Sequence, residues 1–383
     1  MNLLIHDLNE EEWKEISADY DGWEIISDNR TIKPCIGCFG CWIKDPGQCV
    51  IKDGYEQMGV LIHKADEVTV ISRYTYGGFS SFIKNVFDRS IGWVLPYFEV
   101  YQNEMHHKKR YPEDKPFTFI FRGSGLTEDD KKNANAYIKA VCRNLRGHVK
   151  AIMYEECMEQ AESAAIGNKA YVSDAQRVIL LNCSLRGDNA NSKKFLDRLA
   201  SNIECTVERI NLSTYINRYD ELVDILGNAG KIILGLPLYV DGIPSAFLRV
   251  MEMMETYNFE GKKSIYVVSN MGLYESSQLK NLMGMVKNWC ENCGFIYGGG
   301  VAIGAGEMIG SVMAATDKGP ARRAAEGLDK LSNAINTSSV IEDEYIEPYR
   351  FPRALYMFAA NSSWPKAGRI NGLKRRELLQ QIS

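Results

Sequence analysis

The chain has 383 residues, 45% hydrophobic and 25% charged, with a formal net charge of −4. That length suggests two domains rather than one core, and the near-neutral charge excludes a broad basic surface for nucleic acid. The opening MNLLIHDLNEEEWKE turns acidic where a secretory leader is basic, and nowhere do about eighteen apolar residues run together, so the reading is a soluble, cytoplasmic protein without a membrane segment.

MNLLIHDL reads as a buried strand, and the acidic residues after it begin a helix at once. Next comes CIGCFGCWIKDPGQC, with Cys35, Cys38, Cys41 and Cys49 spaced C-x2-C-x2-C-x7-C. In a reducing compartment such a cluster means metal, redox work or packing rather than disulfides. The first three cysteines have the tight spacing that wraps a [4Fe–4S] cubane. Zinc on four thiolates and a loop of packed, reduced cysteines fixed by Trp42 and Pro46 are the alternatives.

From Ala65, ADEVTVISRYTYGGFSSFIKNVFDR predicts an apolar strand, an aromatic and glycine-rich turn, and an amphipathic helix. EMHHKKRY, Glu104 to Tyr111, places two adjacent histidines among cations. Neighbours point differently on a helix or a strand, which disfavours joint chelation, so a polar loop closing over a site or a partner is expected. FTFIFRGSG, ending at Gly125, is another strand running into a glycine-bearing loop. The small, polar stretch ECMEQAESAAIGNKAYVSDAQ marks a boundary at about residue 170.

The pattern then recurs. QRVILLNC repeats the first strand, AGKIILGLPLYVDGIPSAFLRVMEM from Ala229 aligns without gaps on the segment from Ala65, and KSIYVVSNMG matches FTFIFRGSG. Strands alternating with helices imply parallel sheets covered on both faces, with ligands at the loops beyond the strands' carboxyl ends. NCSLRGDNANSKKFLDRLA, Asn182 to Ala200, is a small polar loop feeding an amphipathic helix. Backbone N–H groups, the Ser184 and Ser192 hydroxyls and the Arg186 fork can collect a phosphate there; the alternative is an ordinary capped helix. LPLYVDGIPS offers Pro237 and Tyr239 as a platform for an aromatic ring, and SNMGLYES an opposite wall. NWCENC, with Cys290 and Cys293, closes a helix and reads as structural. GGGVAIGAGEMIG lacks the βαβ context of a dinucleotide fingerprint and reads as a last strand and glycine turn. Beyond residue 337 an aromatic arm leads to a helical tail whose KRRE is a solvated face.

With these motifs in order, residues 176 to 335 resemble the NADPH-dependent FMN reductase branch of the flavodoxin-like flavoproteins. The family's Gly-Ser-x-Arg phosphate loop matches Cys183, Ser184, Leu185, Arg186, Asn189, Asn191 and Ser192, with Cys183 in place of glycine. Residues 1 to 160 resemble the same family, and their cysteine stretch is similar to that of its iron–sulfur flavoproteins. Their phosphate loop is missing, and Arg73 stands where the ring loop has proline.

The resemblance implies two flavodoxin-like, doubly wound parallel-sheet domains in tandem: 1–170 with the cysteine motif, 171–336 binding FMN, and a C-terminal arm and helix at 337–383. It implies one FMN held by Ser184, Arg186, Asn189, Asn191 and Ser192, with the ring against Pro237, Leu238, Tyr239, Val240, Asn270, Met271 and Gly272. The cysteines are its metal ligands if a cluster is present. The implied activity passes electrons from NAD(P)H to a quinone, flavin, metal or protein acceptor, with no protein acid, base or nucleophile. The alternative is a non-enzymatic carrier or redox sensor; a third reading makes the first half a structural partner. The division of motifs predicts that the cysteine loop lies near the flavin, within one chain or across a homodimer.

Overall fold

The computed structural model describes residues 1–29, 31–157 and 170–382. The chain divides into two compact units, Met1–Glu159 with Met357–Ser383, and Gln160–Tyr356. Most of the boundary stretch, residues 158–169, lies outside the described residues.

The first unit is built on β1 (Leu3–His6), β2 (Glu24–Ser27), β3 (Val68–Arg73), β6 (Pro116–Arg122) and β7 (His148–Glu155). Between β3 and β6 an antiparallel hairpin stands apart from that sheet, formed by β4 (Val94–Tyr101) and β5 (Glu104–Lys109). The sheet is wholly parallel and ordered β2-β1-β3-β6-β7. Strand β3 is buried along nearly its whole length, as a parallel strand covered on both faces must be. On one face Leu4, Ile71 and Ile120 pack against Trp13 and Ile16 of the helix Glu10–Ile16. On the other, Phe79 stacks on Phe87 and Phe119 and meets Tyr137 edge-on, joining the helices Ser81–Arg89 and Glu128–Leu145 to the sheet.

In the second unit, β8 (Ala170–Val172) and β12 (Asn258–Glu260) form a small parallel pair. The main strands are β9 (Asp174–Asn182), β10 (Val207–Asn211), β11 (Ala229–Pro237), β13 (Ser264–Asn270), β14 (Ile296–Ile303) and β15 (Glu344–Ile346). Their order is β10-β9-β11-β13-β14-β15. The helices Asn191–Ala200 and Arg322–Thr337 cover one face through Phe195, Leu196, Leu199, Leu328 and Leu331. The first five strands of each sheet, taken in chain order within the unit, follow the order 2-1-3-4-5 of flavodoxin-like domains. The protein is therefore two flavodoxin-like α/β domains in tandem with a C-terminal extension.

The gapless alignment is visible in three dimensions. Thr75 bridges Gly78 and Tyr239 bridges Gly242, at aligned positions. Each bridge encloses two residues at positive φ, as in a type I′ turn: Tyr76 (53°) and Gly77 (102°), Val240 (37°) and Asp241 (59°). Buried Lys115 donates to the carbonyls of His63 and Ala65, and buried Lys263 to those of Leu226, Gly227 and Ala229, so both reach the aligned alanine.

Several elements differ from expectation. EMHHKKRY is not a closing loop: it is β5 and the residues after it, with His106 bonded to Asn144 and His107 to the Leu95 carbonyl. GGGVAIGAGEMIG is β14 followed by the helix Gly306–Met313, and β15 pairs beyond it, so it is not the last strand. KRRE lies in a turn and a short 3-10 segment, Glu377–Leu379, rather than on a helix.

Candidate functional site

Strands β9, β11 and β13 lie side by side, so the loops that leave their carboxyl ends are neighbours. The first loop opens with Cys183, whose N–H is bonded to the Gly235 carbonyl of β11. Cys183 is not at positive φ, so replacing glycine there strains nothing. The Ser184 hydroxyl accepts from Arg186 N at 3.3 Å, and Asn189 N bonds the Arg186 carbonyl. Asn191 then begins a ten-residue helix whose N-cap is Ala190, with no side-chain cap. Its first N–H groups are therefore open to an anion, the requirement for phosphate at a helix start.

Asn270 ties the three loops together. Its side-chain N–H donates to Ser192 Oγ at 2.7 Å, both residues being buried, and its carbonyl accepts from Leu238 N at 2.9 Å. Pro237 pairs with Asn270 in the ladder, and Tyr239 opens the turn in which β-branched Val240 sits at φ 37°. A valine there is backbone strain of the kind that clusters at ligand sites. Met271 N bonds the Ile303 carbonyl, and the Gly272 carbonyl accepts from Tyr356 Oη at 2.6 Å.

The expected residues thus share one sheet edge, and the sequence reading missed those that brace it. Glu347 accepts from Ser276 N and Oγ, and Arg353 pairs with Glu275 at 2.7 Å. Gly306 and Gly310 let the helix Gly306–Met313 approach the site: a Cβ at Gly306 would lie 3.0 Å from Asn270 Cβ, and one at Gly310 would lie 3.1 Å from Asn191 Oδ1. The glycine spacing of GAGEMIG was the available signal. The contacts from residues 347–356 left none, because they arise from chain return rather than local pattern.

At the same edge of the first unit the helix start is taken up by its own cap. The Asn9 side chain accepts from Glu11 N and Glu12 N, each at 2.9 Å, and Glu12 in turn accepts from Asn9 N, so the helix caps itself. The Asp7 carboxylate accepts from Arg73 N at 3.0 and 3.1 Å; Pro237, at the aligned position, has no N–H to give. Burial pushes the Asp7 carboxyl up, and burial holds His6, stacked on Trp13, down to about 4.

The four expected metal ligands lie elsewhere in that unit. Cys35, Cys38, Cys41 and Cys49 all line one cavity, walled by Ile51 and Ile91 and reached by the charged side chains of Asp88 and Arg89, and all are free thiols. Cys41 sits in the short helix Gly40–Ile43, entered through Gly37 and Phe39 at positive φ. Gly40 N donates to Cys38 Sγ at 3.3 Å and Arg89 Nε to Cys49 Sγ at 3.0 Å. Burial, reinforced by the neighbouring acidic groups, pushes the Cys35 thiol up to about 12 and Cys41 well above its ordinary value. Among the described residues, no three His, Cys, Asp or Glu side chains are already gathered around a single-ion position. The donor set, four sulfurs with N–H groups from Gly40 and Arg89 facing two of them, is one that suits a thiolate-ligated centre, and Arg89 stands there with the buried, oppositely charged Asp88. Cys290 is buried at a helix end and Cys293 caps it; burial raises both thiols, as in packed cysteines rather than a reactive pair.

No family model matches the chain, and neither does any curated protein. Among solved structures, the azoreductase AzrA shares 15% identity with a TM-score of 0.31, over 42% of this chain and 99% of its own. An azoreductase from Bacillus anthracis gives 16%, 0.31 and the same coverage. The Flv1 flavodiiron core from Synechocystis gives 11% and 0.31, over 76% of this chain and 80% of that one. These scores carry no functional reading; that rests on the site. No helix among the described residues is long and apolar enough to cross a membrane.

Proposed function

We propose that the protein is an FMN-dependent NAD(P)H oxidoreductase that passes electrons to a quinone, flavin, metal or protein acceptor. The observation that carries this reading is the contrast between two aligned sheet edges. In the second unit the helix after the first strand is uncapped beside Ser184, Arg186 and the Ser192–Asn270 pair; in the first it caps itself behind a carboxylate. One flavin per chain, on the second unit, follows.

Ser184, Ser192, Arg186 and the N–H groups of Asn191 and Ser192 would hold the phosphate, while Pro237 to Val240 and Asn270 to Gly272 would seat the ring. When bound, FMN would supply the exchange between two-electron and one-electron chemistry, and a [4Fe–4S] cluster on Cys35, Cys38, Cys41 and Cys49 would add a one-electron store. The cluster is supported by the convergence of those cysteines on one cavity. The residues of the second unit would orient the ring and exclude water around it. Common ancestry of the two halves is supported by the paired turns and lysines at aligned positions. Free thiols throughout fit a cytoplasmic setting.

The test is an anaerobic titration of purified chain carrying FMN with NADPH and with NADH, followed by turnover with a quinone and a ferric acceptor. Bleaching of the visible flavin absorption with turnover is the expected result. A chain that binds FMN but is neither reduced nor turned over is a carrier or sensor, and one that binds no FMN sinks the reading altogether.

A further inference from the structure

The helix Ser81–Arg89 ends on a fully buried arginine, and that guanidinium has five N–H contacts. Nη1 reaches the Lys33 carbonyl at 2.7 Å and Asp53 Oδ2 at 2.8 Å; Nη2 reaches the Ile51 carbonyl at 3.1 Å and Asp53 Oδ1 at 2.8 Å. Lys33 N also donates to Asp53 at 2.9 Å. Both ends of the cysteine-bearing segment are thus tied to one cation. The fifth N–H, on Nε, donates to Cys49 Sγ at 3.0 Å. A neutral thiol is a weak acceptor, whereas a charged guanidinium bonds strongly to an ionised one. Loop closure alone needs only the carbonyls and Asp53; the contact to sulfur does something more.

We propose that Arg89 is a positioning residue for the four-cysteine centre: it fixes Cys49 as the fourth ligand and offsets the negative charge of a metal–thiolate cluster. The inference rests on the cluster reading above. Cys49 needs this help because it is separated from the other three by the Lys44–Gln48 turn, whereas Cys38 is steadied locally by Gly40 N. An N–H donor and a positive charge at a ligand sulfur favour the reduced, more negative cluster, so Arg89 holds the potential up.

The experiment uses the full chain, reconstituted anaerobically with iron and sulfide, as wild type, Asp53→Asn, Arg89→Lys and Arg89→Gln/Asp53→Asn. The double variant avoids leaving Asp53 buried and unpaired, and far-ultraviolet circular dichroism reports folding. Asp53→Asn keeps the bond to Cys49 and is expected to hold wild-type iron. Arg89→Gln/Asp53→Asn is expected to lose iron to a chelator at roughly 10–100-fold lower chelator concentration. Arg89→Lys, which keeps the charge without the fork, is expected to fall between, with a potential below wild type. A folded double variant matching wild type in iron retention, or an Arg89→Lys potential equal to or above wild type, overturns the inference alone. A wild-type chain that takes up neither iron nor sulfide overturns the cluster reading and this inference with it.

Discussion

Two residues in the loops proposed to hold the flavin are expected to act in opposite senses, one on binding and one on stability. Arg186 leaves the first loop next to an uncapped helix, and loss of a charge-assisted bond to phosphate costs about 1.5–3 kcal/mol. Arg186→Ala is therefore expected to weaken FMN roughly tenfold to a hundredfold, read by fluorescence titration; an unchanged affinity would remove Arg186 from the site. Val240 is instead a strained residue, β-branched at φ 37°. Glycine there relieves about 1–2 kcal/mol of backbone strain, so Val240→Gly is expected to raise the melting temperature of the flavin-free chain. A lower melting temperature would show that the valine side chain contributes more than its backbone costs. Cys183 was the one departure from the phosphate-loop pattern, and it costs no backbone strain because the position takes an ordinary backbone conformation.

At the scale of elements, what could be read from the sequence was what repeats within a few residues. The apolar strands, the turn after the third strand of each sheet and the spacing of the cysteines are local patterns, and the structure gives each a place. The hairpin β4–β5 was hidden because Gln102 and Asn103 occupy its positive-φ turn, where Asn-Gly would have announced it. The aligned lysines were hidden too, since a buried lysine looks like any surface lysine until its carbonyl partners are known. Lys263 is 1% exposed and donates to three carbonyls between the helix Tyr219–Gly227 and β11. Methionine of similar length fills the space but leaves those carbonyls without a donor, so Lys263→Met is expected to cost about 2–3 kcal/mol in denaturant unfolding. A cost under about 0.5 kcal/mol, the scale of an unremarkable surface change, would mean that the lysine does not cap the helix end.

For the whole molecule, titratable groups are divided as unevenly as the cofactor motifs. All five histidines belong to the first unit. Burial holds His6 and His107 down to about 4; His107 is packed against Trp42 of the cysteine segment and bonded to the Leu95 carbonyl. A histidine with a folded pKa near 4 and an unfolded one near 6.5 binds more protons when unfolded throughout that window. Stability is therefore lost as pH falls from about 6.5 to 4, by at most about 1.4 kcal/mol per pH unit for each histidine. Asp53 extends the effect: burial would raise its carboxyl, but Arg89 and the Lys33 and Tyr55 N–H groups hold it down to about 2. Its contribution is complete above the unfolded carboxylate value and disappears as pH falls from about 4 to 2. The second unit has no histidine to protonate. Hydrogen exchange at pH 7 and pH 4.5, corrected for intrinsic rates, is expected to show falling protection in β1, β3 and the cysteine segment while β9, β11 and β13 keep theirs. If protection falls equally in both units, acid acts on the chain as one cooperative body and not through His6 and His107; if β9 and β11 open first, the second unit is the acid-labile one and the assignment of the effect to these histidines is wrong.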